Sequence, residues 1–171
     1  LAGISVLPSY ARFDIGQGRI RVGTLGLTTS AGSARASGSL AVHGSDTLTI
    51  NAHIDTLLML ERFLPQAEGG GSGSVDLTLI GSLDSLIADV SADLRDLRGT
   101  DLSIARIQAE GRVEWQDGGA LVPARMSLRA DSVTRAGRVI RLFEAAAQSP
   151  DAVRWQVSAQ TGPADSTGGA V

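Results

Sequence analysis

The sequence predicts an all-β chain built as a repeat array of antiparallel hairpins, and three observations predict it. First, Leu48, Ile50, Ala52 and Ile54 alternate without a break with Thr47, Thr49, Asn51, His53 and Asp55. A two-residue period makes one sheet face apolar and the other wet. Second, the pattern returns. Leu86, Ala88, Val90, Ala92 and Leu94 repeat it with Ile87 as the one breach, then Ile107 to Trp115, then Val122, Ala124, Met126, Leu128 and Ala130. Third, equivalent residues recur at a fixed spacing. Asp55, Asp93 and Asp131 lie 38 apart at strand ends, and Gly44, Gly81 and Gly118 lie 37 apart at hairpin turns. A period of about 37–38 residues means units that pack chiefly against their neighbours.

The elements follow in order. Residues 1–10 are apolar around Pro8 and read as a strand end or a helix stub. Phe13 and Ile15 begin a strand that turns at Gly16-Gln17-Gly18. Ile20 and Val22 share one parity and Leu25 and Leu27 the other, which calls for a bulge or break near Gly23. Ala34, Ala36, Leu40 and Val42 mark the next strand, and Gly44-Ser45-Asp46 turns it into the strand 47–55. Thr56 to Leu64 is the helix candidate: Leu57, Leu60 and Leu64 fall at helical spacing, Asp55 or Thr56 caps the start, and Pro65 follows the end. Residues 68–74 (EGGGSGS) read as a flexible loop, and Val75 to Ile80 as a strand turning at 81–85 into 86–94. A break over 96–100 precedes a long strand 104–116, a turn at 117–119 and a return over 121–132. Strands near 138–143 and 153–159 close the series. Residues 1–160 thus read as one β-repeat segment and 161–171 as a tail or linker.

Composition narrows the function. The chain has 171 residues, 43% of them hydrophobic but only 4% aromatic, so its apolar surface is smooth and aliphatic. A net charge of −3 argues against a nucleic-acid partner. All basic residues are arginine, a pattern read as codon bias. The absence of cysteine excludes thiolate chemistry and cysteine-based metal sites. No apolar run approaches the ~20 residues of a membrane-spanning helix, and Leu1 opens the chain without a leader pattern. The chain is therefore read as a piece of something longer, its targeting segment lying outside.

Catalytic readings fail one by one. The glycine-rich stretch 69–74 lacks the following Lys-Ser/Thr of a phosphate cradle. His43 and His53, on presumed neighbouring strands, lack a clustered acid pair and read as surface residues, not a metal site. The acidic residues at strand ends fit turn or cap roles, no serine lies in a GxSxG elbow, and the chain is expected not to be an enzyme and to need no cofactor. Arg95, Arg98, Arg106 and Arg112 read as a solvated rim. The residues expected to line an apolar groove, which the resemblance described next makes lipid-facing, are Leu40, Val42, Leu48, Ile50, Ile54, Val75, Leu77, Leu79, Leu86, Val90, Leu94, Ile107, Val113, Trp115, Val122, Met126, Leu128, Trp155 and Val157.

Three phrases carry a family resemblance: GSLAVHG (38–44) leading into LTINAHID (48–55) and LLMLERFLP (57–65); GSVDLTLIG (73–81) leading into LIADVSADL (86–94); and IQAEGRVEWQDG (107–118) leading into 121–132. Over residues 15–160 the pattern resembles the AsmA-like and TamB group of bacterial envelope proteins, especially their repeating C-terminal part. The resemblance implies a long sheet folded lengthwise into a curved, U-shaped trough (a β-taco), apolar inside and polar towards periplasmic water. It implies a segment of a conduit carrying phospholipid between inner and outer membranes in support of outer-membrane assembly. The implied partners are phospholipid acyl chains, the rest of a parent chain anchored in the inner membrane, and an outer-membrane barrel protein. Unpaired sheet edges lead one to expect self-association of the isolated fragment. The rival expectation is a structural β-array, a passenger or adhesin stalk, with a filled, dry interior. The near-absence of asparagine (Asn51 alone) weakens a β-helix.

Overall fold

A computed structural model describes residues 5–56, 67–116, 120–151 and 154–162. Ten strands form one antiparallel sheet in simple sequence order: β1 (Tyr10–Gly16), β2 (Arg19–Thr29), β3 (Gly32–Ala41), β4 (Asp46–Ile54), β5 (Ala67–Gly81), β6 (Leu86–Gly99), β7 (Leu102–Gln116), β8 (Ala120–Arg135), β9 (Arg138–Asp151) and β10 (Arg154–Thr161). Each strand packs chiefly on its sequence neighbours, with a small further contact between β3 and β5. The sheet is open and uncurled, and β1 and β10 are its edges. A trough enclosing an apolar interior is a step beyond this sheet.

Local chemistry explains the turns and bulges. Gln17 and Gly18 both take positive φ, 52° and 67°, the mirror-image turn that matches strand twist. Ala136 and Gly137 do the same between β8 and β9, at 47° and 78°. The expected bulge near Gly23 is present: the β1–β2 register skips Gly23, and the β2–β3 register slips by one between Val22 and Leu25. That extra residue returns Leu25 and Leu27 to the face of Ile20 and Val22. A second bulge lies in β8, where Arg125 pairs with Arg112 but Pro123 pairs with Val113. Proline lacks the N–H a ladder needs, and a bulge is where an inner strand tolerates it.

Three expectations are corrected. Residues 68–74 lie in β5 instead of a loop, because β6 extends far enough to pair with them, Gly70 with Arg98 and Gly73 with Leu94. The break over 96–100 is absent, since β6 continues to Gly99 and bends at Asp96, whose φ is 53°. Asp93 and Asp131 consequently sit inside β6 and β8, and only Asp55 follows a strand end. The helix expected over 56–64 and the turn at 117–119 lie outside the described residues, as do residues 163–171 of the tail. No helix occurs among the described residues.

One apolar layer holds the sheet. Val22, Ala36 and Leu48 are buried, with Leu25, Leu40, Ile50 and Leu79 packed around them. The other buried apolar side chains among the described residues are Ala31, Ala41 and Ala130. So few buried groups in so large a sheet mean that its apolar face has no covering layer.

Candidate functional site: an open aliphatic face

Antiparallel partners project to the same side of a sheet, so the register assigns the faces. Leu48 pairs with Leu79, Leu79 with Ala88, and Ala88 with Val113. One step along, Ile50, Leu77, Val90, Gly111 and Met126 form the next row. Another step gives Ala52, Val75, Ala92, Ala109 and Leu128, and a further one Ile54, Gly73, Leu94, Ile107 and Ala130. Leu86 lies opposite Trp115, Leu40 opposite Ile20, and Val42 just past β3, its N–H donating to the Gly18 carbonyl. The sequence-predicted apolar residues therefore do meet on one face.

One of the expected residues stands apart. Backbone register sets Val122 opposite Glu114, the parity of the polar face, because the β8 bulge shifts the phase by one; Leu121 and Pro123 take the positions opposite Trp115 and Val113. Val157 pairs with Ala147, which pairs with Met126, so its backbone position falls in the row of Ile50 and Val90. The side chains of Val122, Trp155 and Val157 lie outside the described residues.

Sequence reasoning missed a feature that only register exposes. The middle row runs Leu27, Ala34, Ala52, Val75, Ala92, Ala109, Leu128, Ala145 and Ala159 across β2 to β10. It is dominated by alanine, while its flanking rows carry Ile50, Leu77, Val90, Leu94, Ile107 and Phe143. The row is lowest at Ala34, Ala52, Ala92, Ala109, Ala145 and Ala159 and is crossed by Val75 and Leu128, which makes it an interrupted, shallow furrow perpendicular to the strands. At the usual strand spacing it runs roughly 40 Å. The face is open to solvent: Met126 is 49% exposed and Phe13, opposite Val22, 55%.

The opposite face is a lattice of polar rows. Asn51 donates to Asp76 at 2.5 Å. Arg106 grips Asp93 through Nε (2.9 Å) and Nη2 (2.7 Å), and Arg95 adds a third bond at 3.2 Å. The hydrogen bond from Arg106 and then that from Arg95 hold the Asp93 carboxyl well below the usual carboxylate range, and the same bond raises Arg106. Arg129 pairs with Glu144 at 3.2 Å, and Gln160 donates to Glu144 at 2.7 Å. Ile87, the breach in the pattern, does lie on this side, opposite Ile80 and Glu114. Depressions of about 500 and 460 Å³ open on this charged face, lined by residues such as Asp89, Arg112 and Arg125, or Arg129 and Glu144. They are shallow and open, with mixed polar and apolar walls.

The histidines do not meet. His43 lies 2.9 Å from Asp84, and His53 lies 3.3 Å from Asp55 between Ser33 and Ser74. No cluster of metal-binding side chains occurs among the described residues. No family model, no curated protein and no solved structure matches this chain.

Proposed function

We propose that this chain is a segment of a hydrophobic conduit for phospholipid, of the kind the AsmA-like and TamB resemblance implies, and not an enzyme. The observation that carries this reading is the alanine-dominated furrow, an aliphatic path that crosses strand after strand without a polar step. Each methylene fully withdrawn from water contributes about 0.8 kcal/mol, so a sixteen-carbon tail gains on the order of 12 kcal/mol once the curled trough closes around it, and a part of that on the open face. Because each successive strand presents an aliphatic side chain to the path, a tail moves along it without returning to water. Smooth walls without placed polar groups suit a mobile ligand better than a shaped pocket does. The headgroup stays hydrated at the margin.

In this reading the sheet curls lengthwise within the longer parent chain, and the furrow becomes the floor of a U-shaped trough with the charged face towards periplasmic water. The right-handed twist of sheets and the bulges in β2 and β8 supply a bias towards curvature. Docking to an outer-membrane barrel protein belongs to the same proposal. The segment provides a path, and the drive comes from a gradient or from elsewhere in the assembly.

The test is mass spectrometry of an organic extract of the protein purified from bacterial cells. Co-purifying phospholipid is the expected result. A lipid-free extract, with the aliphatic face sealed against another protein layer, favours a structural stalk and overturns the conduit.

A further inference from the structure

The tips of two neighbouring hairpins carry a charge pattern that differs from the rest of the sheet. Arg135 and Arg138 are the last pair before the β8–β9 turn and stand directly opposite each other. Like charges in that position destabilise a sheet. Elsewhere an acid relieves the conflict: Arg95 and Arg106 also oppose each other, and Asp93 binds both. Neither Arg135 nor Arg138 has an ion pair among the described residues. The tight turn at Ala136-Gly137 fixes the two arginines side by side.

Around them, aliphatic side chains project into water from both faces of the tip: the register puts Leu102 and Ile140 on the side of the two arginines and Val139 on the other. Val139 is 51% exposed, Leu102 41% and Ile140 38%. Leu102 belongs to the adjacent tip and pairs with Arg135. The two tips are tied together, since the Ala136 N–H donates to the Asp101 carbonyl at 3.1 Å. Across 98–103 and 134–140 there are three arginines and a single acid, in a chain whose net charge is −3.

We propose that these joined tips form a lip that docks on an anionic lipid headgroup layer. Guanidinium groups pair with phosphates in a forked geometry, which resolves the Arg135/Arg138 repulsion. The neighbouring aliphatic side chains then enter the boundary between headgroups and acyl chains. An acidic protein surface would satisfy the arginines but not three exposed aliphatic groups with no shaped pocket among them. Surface docking at the tips is separate from acyl-chain transport along the sheet, and either stands without the other.

The experiment is flotation of the full chain with phosphatidylcholine vesicles, with and without phosphatidylglycerol. Binding is expected only with the anionic lipid, to fall at high salt, and to weaken about 25-fold in R135Q/R138Q. The control R112Q/R125Q, on the charged face away from the tips, retains binding. R135Q/R138Q removes a repulsion, so its melting temperature is expected to hold or rise; should it fail to fold, the salt response of the unaltered chain decides. Equal binding to both vesicles, undiminished binding of R135Q/R138Q, or no binding at low salt overturns the proposal, the last pointing to an acidic protein partner.

Discussion

Arg106 on β7 reaches diagonally to Asp93 on β6 and holds both carboxylate oxygens, at 2.9 and 2.7 Å. Since folding lowers the carboxyl's pKa, its contribution to stability is fully present above the unfolded value near 4 and is lost as pH falls towards the depressed folded one. The melting temperature is expected to drop on acidification below about pH 4. In D93N that part of the acid dependence should flatten. Parallel melting curves for the two proteins would remove Asp93 from the account.

Photo-crosslinkers report the faces directly. Placed at Ile50 or Val90, on the aliphatic side, they are expected to capture lipid in cells. At Thr49 or Ser91, one residue along the same strands, they should not. Equal labelling at the four positions contradicts the assigned faces.

Filling the furrow tests whether short side chains matter. Ala92 and Ala109 face each other at its centre. A92F/A109F should lower co-purifying lipid several-fold without unfolding the sheet, because this face carries no covering layer to clash with. Unchanged lipid content in a folded variant would show that the row of alanines has no bearing on binding.

Two glycines on the same face should respond in opposite senses. Gly38 has φ 123° and lies against the Thr47 carbonyl, so G38A is expected to cost about 1–3 kcal/mol in chemical denaturation. Gly111 has ordinary backbone geometry, and a methyl there meets nothing closer than 3.8 Å. G111A should be neutral or stabilising by up to about 1 kcal/mol. Similar losses in both would mean that burial, and not backbone geometry, sets the response.

The edge strand β1 is exposed along its whole length, with Phe13 and Ile15 uncovered. The isolated chain is expected to associate through such an edge, and F13K/I15K to shift sedimentation towards the monomer. A monomer at high concentration without those changes would show that the edge is already protected.

Much of this fold was legible because a two-residue period leaves a strong trace wherever one face is greasy. Strands β4, β6 and β7 were visible for that reason, and the parity change from Val22 to Leu25 even exposed a bulge. The stretch 68–74 was not, since glycine and serine carry no periodicity, and its strand is imposed by the partner β6. Asp96 similarly has the look of a turn residue but sits at a bend inside a strand. The second bulge escaped because Val122 and Ala124 continue the apolar alternation in sequence while the backbone changes phase beneath them. The furrow was hidden for another reason: it follows partners from different strands, and no single segment contains more than one or two of its residues.

Every ladder in this sheet joins strands adjacent in the chain. Such a topology needs no distant partner before a hairpin can zip onto the growing edge, so assembly can proceed in step with the chain's emergence, from the first turn onwards. A duplicated or deleted pair of strands would then lengthen or shorten the molecule and leave its aliphatic and charged faces unchanged, which makes reach an easily adjustable property.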